Sequence, residues 1–405
     1  MAAPKLRFKE FDGDWSQSRI GEIFQVTSGS TPLRSDNRFF ENADIAWVKT
    51  TDLNNGLIEK TEEKISQIAL KETSVKILPK GTVFVAMYGG FNQIGRTGLL
   101  VDEAACNQAL SAIYPNEKIE SYFLLTFLNH KVDDWKNFAA SSRKDPNITK
   151  SDVLAFPLTY PVKEEQTKIA SFLSTVDEKI GQLTQKHELL SQYKQGMMQK
   201  LFSQQIRFKA DDGSEFGEWE DKPLNEIASK RSGKNKDGSI SEVLTNSATQ
   251  GIIKQSDYFE REIVTESNLN GYYIVNLDDF VYNPRISVHA PVGPIKRNKK
   301  CLGVMSPLYT VFTVIQGNLK YLEYFFDSNF WHDYVKGVAN SGARHDRMNI
   351  TNKDFFDMPI LYPCLEEQTK IANFLSAIDQ KIEVVAQQIE QAKTWKKGLL
   401  QQMFM

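Results

Sequence analysis

The chain says the same thing twice. Glu164-Glu165-Gln166-Thr167-Lys168-Ile169-Ala170-Ser171-Phe172-Leu173-Ser174 returns as Glu366-Glu367-Gln368-Thr369-Lys370-Ile371-Ala372-Asn373-Phe374-Leu375-Ser376, 202 positions on in a chain of 405 residues. Thirteen of the seventeen residues from Glu164 to Ile180 recur unchanged at that offset, and the stretches between the copies share almost nothing. The repeat has further echoes. Leu6-Arg7-Phe8-Lys9 answers to Ile206-Arg207-Phe208-Lys209, Asp14-Trp15 to Glu218-Trp219, and Ile20-Gly21-Glu22-Ile23 to Leu224-Asn225-Glu226-Ile227. Asn147-Ile148-Thr149 with Pro157-Leu158 and Tyr160-Pro161 answers to Asn349-Ile350-Thr351 with Pro359-Ile360 and Tyr362-Pro363. The order is variable domain, helix, variable domain, helix. A scaffold repeated around two divergent inserts fits one job done at two places on two different targets.

The helices follow from periodicity. Ile169, Leu173, Val176, Ile180, Leu183, His187, Leu190, Lys194, Met197 and Leu201 step by four and three. Ile371, Leu375, Ile378, Ile382, Val385, Ile389, Ala392, Lys396, Leu399 and Met403 repeat that seam. This is the heptad period that lets two helices wind together. Neither stretch contains proline, and Pro161 and Pro363 stand just before, where a helix has yet to start. About 39 residues at 1.5 Å each give a rod of roughly 58 Å. So narrow a seam needs a partner helix, and the nearest is its own copy. His187 and Lys194 interrupt the first seam, where they snorkel or mark register.

The inserts read as mixed α/β (α+β) domains. Gly81-Thr82-Val83-Phe84-Val85-Ala86-Met87 and Phe280-Val281-Tyr282 are short buried strands behind turn signals. Gly89-Gly90-Phe91-Asn92-Gln93-Ile94-Gly95-Arg96 is a glycine-punctuated loop. Tyr122 to Phe138 and Leu319 to Val338 are aromatic-rich and helical. The length exceeds one compact core. No apolar run reaches the roughly 18 residues of a membrane span, and Met1-Ala2-Ala3-Pro4-Lys5 lacks the apolar stretch of a signal peptide. Cys106, Cys301 and Cys364 are isolated, which argues against a disulfide framework or zinc site and suits a cytoplasm. A net charge of −2 means that any nucleic-acid surface is local.

Catalytic signatures are missing. There is no Walker loop, no dinucleotide fingerprint, no His-Glu-x-x-His and no carboxylate pair placed for acid–base work. Asn283-Pro284-Arg285 lacks the second proline and the aromatic of the amino-methyltransferase motif. The expectation is a binding and assembly subunit, not an enzyme, with no metal.

The duplicated Glu-Glu-Gln-x-x-Ile-Ala-x-Phe-Leu-Ser…Asp-x-Lys-Ile helix, each time closing a variable domain, resembles the specificity subunit of Type I restriction–modification enzymes. The resemblance covers essentially the whole chain and is strongest at the helices. Inside the inserts it rests on Gly29-Ser30-Thr31-Pro32, Trp47-Val48-Lys49, Pro79-Lys80-Gly81-Thr82-Val83, Tyr282-Asn283-Pro284 and Gly303-Val304-Met305-Ser306-Pro307-Leu308-Tyr309. It implies two target recognition domains, each reading one half of a split double-stranded DNA site. They would be separated by two spacer helices packed as an antiparallel coiled coil with pseudo-two-fold symmetry. The corresponding boundaries are 1–163 and 206–365 for the recognition domains, and 164–205 and 366–405 for the helices. The resemblance further implies two methyltransferase subunits that bind S-adenosylmethionine and methylate adenine, and two motor–nuclease subunits that use ATP and Mg. This chain would itself hold no cofactor, in the bacterial or archaeal cytoplasm. Different inserts imply different half-sites, and a stiff spacer implies an unread gap of fixed length.

Base edges are read by Arg, Lys, Asn, Gln, Ser or Thr, and phosphates by cations. The first insert offers Ser30, Thr31, Arg34, Lys49, Thr50, Tyr88, Asn92, Gln93, Arg96, Ser142, Arg143 and Lys144. The second offers Lys230, Arg231, Lys234, Arg285, Ser287, Lys296, Arg297, Ser341, Arg344 and Arg347. Ser142-Arg143-Lys144 and the run from Ser341 to Arg347 hold matching places before the shared Asn-Ile-Thr. The spacer seam is assigned to Ile169, Leu173, Val176, Ile180, Leu183 and Leu190, and to Ile371, Leu375, Ile378, Ile382, Val385 and Ile389. Trp15 and Trp219 are expected to anchor the core. Two other readings remain: a coiled-coil scaffold whose inserts bind protein without DNA specificity, and an enzyme with an unrecognised site.

Overall fold

A computed structural model of the chain describes residues 4–90, 92–139, 147–258, 266–339 and 346–404. It divides into two compact units. The first comprises Met1–Gln185 with Ala386–Met405, and the second is Lys186–Val385. Both long helices are therefore shared. Lys163–Phe202 gives its first half to one unit and its last turns to the other, and Leu365–Met403 does the reverse. In both units the beginning of one helix lies with the end of the other, as in an antiparallel pair. No seam residue in either helix is exposed.

In the first unit a mixed five-stranded sheet has the order Val26–Ser28, Leu110–Ile113, Val83–Ala86, Thr97–Leu100, Gly56–Ile58. Its three central strands are wholly buried. Such continuous burial explains the unbroken apolar sequence of Val83–Ala86, while the buried Thr97 and Ser111 of the other two strands donate to Asn129 and Met87. A smaller sheet joins Glu63–Ile65, Ile45–Val48 and Ala105–Cys106. The helix Ser121–His130 packs an apolar run from Phe123 to Leu128, broken only by Thr126, into the main core. It then breaks, and a second short helix is confined to Trp135–Phe138. The expected single helix is thus two.

The second unit is built on an antiparallel sheet with the order Ala228–Lys230, Thr310–Val314, Phe280–Tyr282, Ile295–Arg297. Here too the aromatic stretch splits, into Leu319–Asp327 and His332–Val338. In each unit the segment leading in pairs with the segment leading out. Ser16–Arg19 runs antiparallel to Pro157–Tyr160, and Glu220–Pro223 to Pro359–Tyr362.

The repeated motif is a clamp. Glu165 is fully buried and accepts two hydrogen bonds from Arg7, at 2.8 and 2.7 Å. Glu367 does the same for Arg207, at 3.0 and 2.7 Å, and also accepts from the Trp219 indole at 2.9 Å. A bidentate Arg–carboxylate pair is among the strongest of polar contacts. Gln166 Oε1 accepts from the Glu120 backbone N–H, and its amide donates to the Pro161 carbonyl. Gln368 repeats this with Asn318 and Pro363. The following Phe172 and Phe374 meet Phe8 and Phe208 edge-on, at 5.9 and 5.6 Å. The echoed Leu/Ile-Arg-Phe-Lys and the Glu-Glu-Gln…Phe are thus the two sides of one joint. Trp15 is buried against Phe123, as an anchor should be, but its indole nitrogen has no partner.

A second duplicated device sits further along. The Tyr122 hydroxyl donates to Asp177 at 2.6 Å, and Lys396 donates to the other oxygen of Asp177 at 2.5 Å. In the second unit Tyr324 donates to Asp379 at 2.5 Å, and Lys194 pairs with it at 2.6 Å. Burial, and then the bonded aspartate, pushes both phenols far above their ordinary range. Each aspartate ties the insert fold of its own unit to a lysine of the opposite helix. A polar residue in an apolar seam can specify register and orientation, and the ion pairs of Lys194 and Lys396 place both lysines where that is possible.

His130 and His332 hold matching places. Burial pushes both imidazoles below their ordinary value of 6.5. For a base with a depressed folded pKa, the stabilising contribution is complete above 6.5 and is lost as pH falls from there towards the folded value. Thermal stability is therefore expected to decline below about pH 6.5, and His130→Asn should flatten that decline for the first unit. A melting temperature unchanged between pH 7 and 5 would contradict it.

Candidate nucleic-acid interface

The first hairpin joins Val83–Ala86 to Thr97–Leu100 through the glycine-rich loop. Ala86 closes it, donating to the Arg96 carbonyl at 2.8 Å and accepting from Gly95 N–H at 3.0 Å. Gly95 has φ +77°, and a Cβ there would stand 2.3 Å from the Trp135 ring. Only glycine lets the loop press that closely on the core. Ile94 is buried beneath, Tyr88 and Asn92 are exposed, and Gln93 and Arg96 are half-buried. The segment after Ser142-Arg143-Lys144 comes back to this loop, with the Ile148 N–H donating to the Met87 carbonyl at 3.0 Å. Ser142, Arg143 and Lys144 themselves lie outside the described residues.

The second unit repeats the arrangement. Phe280–Tyr282 and Ile295–Arg297 form the hairpin, and Asn283 N–H donates to the Pro294 carbonyl at 2.9 Å. Gly293, at φ +81°, brings its Cβ position within 2.0 Å of the Asn283 carbonyl, so no other residue fits. Arg285 to His289 are all exposed between buried Pro284 and Ala290. The returning segment pairs with this loop too. Met348 N–H donates to the Pro284 carbonyl at 2.9 Å, and Ile286 N–H to that of Asp346 at 3.1 Å. Arg285 and Arg347 thus face each other across a backbone bridge. Ser341 and Arg344 lie outside the described residues.

Beside this hairpin is a cavity of about 280 Å³, lined by Tyr282, Pro284, Thr310, Arg347, Asn349, Asn352 and Phe355 among others. The Nε of Arg347 is buried there without a hydrogen-bond partner. Lys230 donates to Asn352 at 2.9 Å, which brings it to the same place. Asn352 was not singled out from the sequence, though it follows directly on the shared Asn349-Ile350-Thr351.

The remaining candidates lie within internal networks. Arg34 pairs with Glu63 at 2.6 Å and stacks over Phe40 and Trp47. Lys49 bonds Glu63 at 2.8 Å and Glu62 at 3.0 Å. Its bond to Glu63 raises the lysine's pKa, and Arg34, then Lys49, lowers that of Glu63. Ser30 bonds Ser74, Thr31 bonds Gln108, and Thr50 opens a short 3-10 turn. Arg231 pairs with buried Asp279, Lys296 with Asp327, and Arg297 with Asp278. Lys234 lies over the Tyr273 ring, and Ser287 is in the hairpin turn. Among the described residues, the guanidinium groups of Arg96 and Arg285 have no carboxylate partner. Also among the described residues, no cluster of His, Cys, Asp and Glu could hold a metal ion, and no helix is long and apolar enough to cross a membrane.

The family model described as Type I restriction modification DNA specificity domain matches residues 12–192 and again 217–394. The chain belongs to that family. It is a DNA specificity subunit of a Type I restriction–modification system and is itself non-catalytic. The putative Type I restriction enzyme MjaX specificity subunit of Methanocaldococcus jannaschii is 30% identical over 72% of this chain and 69% of its own length. The MjaIX subunit of the same organism is 27% identical, over 57% of this chain and just 56% of that relative. The MjaVIII subunit is 25% identical over 97% of this chain and 94% of its own. In fold, the specificity subunit resembles the Type I S subunit from M. genitalium, with a TM-score of 0.58 at 15% identity, covering 100% of this chain and 99% of that one.

Proposed function

We propose that the chain reads an asymmetric, bipartite double-stranded DNA sequence, each unit taking one half-site. The observation that carries this is the arrangement common to both units. A β-hairpin loop rich in donors is joined by the segment that follows a basic stretch. A two-stranded ribbon is of a size to enter the major groove, and cations beside it fix register on the phosphates. In the first unit Tyr88, Asn92, Gln93 and Arg96 form the reading loop, and Ser142, Arg143 and Lys144 are assigned to the same half-site. In the second the loop carries Arg285 and Ser287, backed by Arg347 and Lys230, and Ser341 and Arg344 are assigned to the same half-site. Arg34, Lys49, Arg231, Lys296 and Arg297, held by carboxylates, are assigned to shaping the surface, with Ser30, Thr31, Thr50 and Lys234.

The long helices dock two methyltransferase subunits, which bring S-adenosylmethionine and methylate adenine. Two motor–nuclease subunits add ATP- and Mg-dependent cleavage in the bacterial or archaeal cytoplasm. Leu189, Tyr193, Val384 and Trp395 are apolar residues left exposed on those helices, and they support this reading because exposed apolar groups mark interaction sites.

Mapping methylated adenines in cells with and without the gene should reveal one split motif that depends on it. Replacing residues 206–348 by the matching insert of a relative should change one half of the motif and leave the other. A swap that altered both halves, or a methylome unchanged by deletion, would overturn the proposal. The latter outcome would favour the protein-binding scaffold.

A further inference from the structure

The tip of the second hairpin carries a residue that its own fold does not call for. Ser287 and Ala290 exchange backbone hydrogen bonds, at 3.0 and 3.1 Å, around the two-residue turn Val288-His289. Turn centres favour Gly, Asn, Asp or Ser, each for a backbone reason. Val288 meets none of these, and neither it nor His289 adopts a positive φ. Its side chain is 97% exposed, the most exposed of the large apolar residues described. The platform under it is firm. Pro284, Ala290 and Val292 are buried, and Gly293 folds the strand back against Asn283. Arg285 is on the same ribbon and Arg347 is on the strand beside it. An apolar methyl pair is thus held at the end of a ribbon flanked by Arg285 and by Arg347, the latter paired with Asp346 at 3.4 Å.

We propose that Val288 reads the 5-methyl group of a thymine in the major groove of the half-site taken by the second unit. The proposal rests on DNA reading by that unit and adds the base and the group recognised. The major groove shows one apolar feature, the thymine methyl, and small apolar side chains are the groups that contact it. Arg285 and Arg347 would place the ribbon by their charge, and Val288 would discriminate.

The test uses the full chain assembled with its methyltransferase subunits, on its own methylation motif. Each thymine of both half-sites is replaced in turn by deoxyuridine, which removes only the methyl. For the wild type, one replacement in the second half-site should weaken binding roughly fourfold, the worth of one buried methyl. The variant Val288→Ser should bind the thymine and uracil duplexes equally, at the weaker affinity, with its melting temperature and assembly unchanged. Discrimination retained by Val288→Ser, or no sensitive thymine in the wild type, would overturn the proposal. So would failure of the variant to assemble, which would make Val288 a protein contact. A complex that selects no DNA sequence at all would instead overturn the bipartite reading on which this rests.

Discussion

Phe404→Ala is expected to destabilise the first unit by about 3–5 kcal/mol, the cost of emptying a buried aromatic site. Phe404 is the last described residue, yet it is buried among residues from the other end of the chain. Its ring meets Phe123 at 5.4 Å, Phe127 at 5.8 Å and Trp15 at 6.4 Å, and stacks on His130 at 5.8 Å. Leu399 and Met403 join the same core. Hydrogen exchange should show the amides of Ser121–His130 losing protection in the variant. Phe202 is the counterpart, meeting Tyr321, Phe325 and Phe330 at 5.6, 5.8 and 6.0 Å. Phe202→Ala should open Leu319–Asp327 instead. Protection unchanged in Ser121–His130 for Phe404→Ala would show that the helix end is not part of that core.

The second large effect lies in the clamp. Removing one partner of a buried ion pair leaves the other uncompensated, at a cost of about 3–5 kcal/mol. Arg7→Ala does this to Glu165, which is fully buried, whereas the Arg7 side chain retains 15% exposure. Losing the arginine should therefore hurt more than losing the glutamate. The double variant should recover part of the loss, since no unpaired carboxylate remains. In the second unit Glu367 has an additional donor in the Trp219 indole, so Arg207→Ala should cost less than Arg7→Ala. Denaturant midpoints of the single and double variants measure these differences, and an Arg207→Ala cost equal to or above that of Arg7→Ala would contradict this ordering.

The repeat was legible because its residues have demanding roles. A buried carboxylate, a glutamine bonding two backbone groups and a heptad seam tolerate little change, so the two copies stayed alike enough to be seen. The strands at Val83–Ala86 and Phe280–Tyr282 were legible because burial on both faces leaves an unbroken apolar run. The sheet orders were not, because pairing partners far apart in the chain leave no local signature. Nor were the breaks after His130 and Asp327, since the aromatic run continues across them while the backbone turns. Among the candidate contacts, the glycine-flanked Asn92-Gln93…Arg96 cluster stood out in the sequence, but Arg285 could be ranked no higher than Arg231 or Arg297. A cation held by a carboxylate from another strand looks the same in one dimension as one that is not. The tyrosine–aspartate–lysine devices were within reach, because all three residues recur at the repeat's own spacing of 202.

The exchange of helix ends also sets an order of assembly during synthesis. Every residue of the second unit is contiguous, from Lys186 to Val385, so it can close once that stretch has left the ribosome. The first unit emerges earlier but includes Ala386 onward, and the Leu6 N–H awaits the Gln402 carbonyl, 2.9 Å away in the finished protein. Domains commonly complete themselves from the N-terminus as translation proceeds. Here the first part made is the last to be finished. Until the final turns of the second helix arrive, the apolar pocket for Phe404 stands open on the nascent chain, and the recognition fold above it lacks its floor.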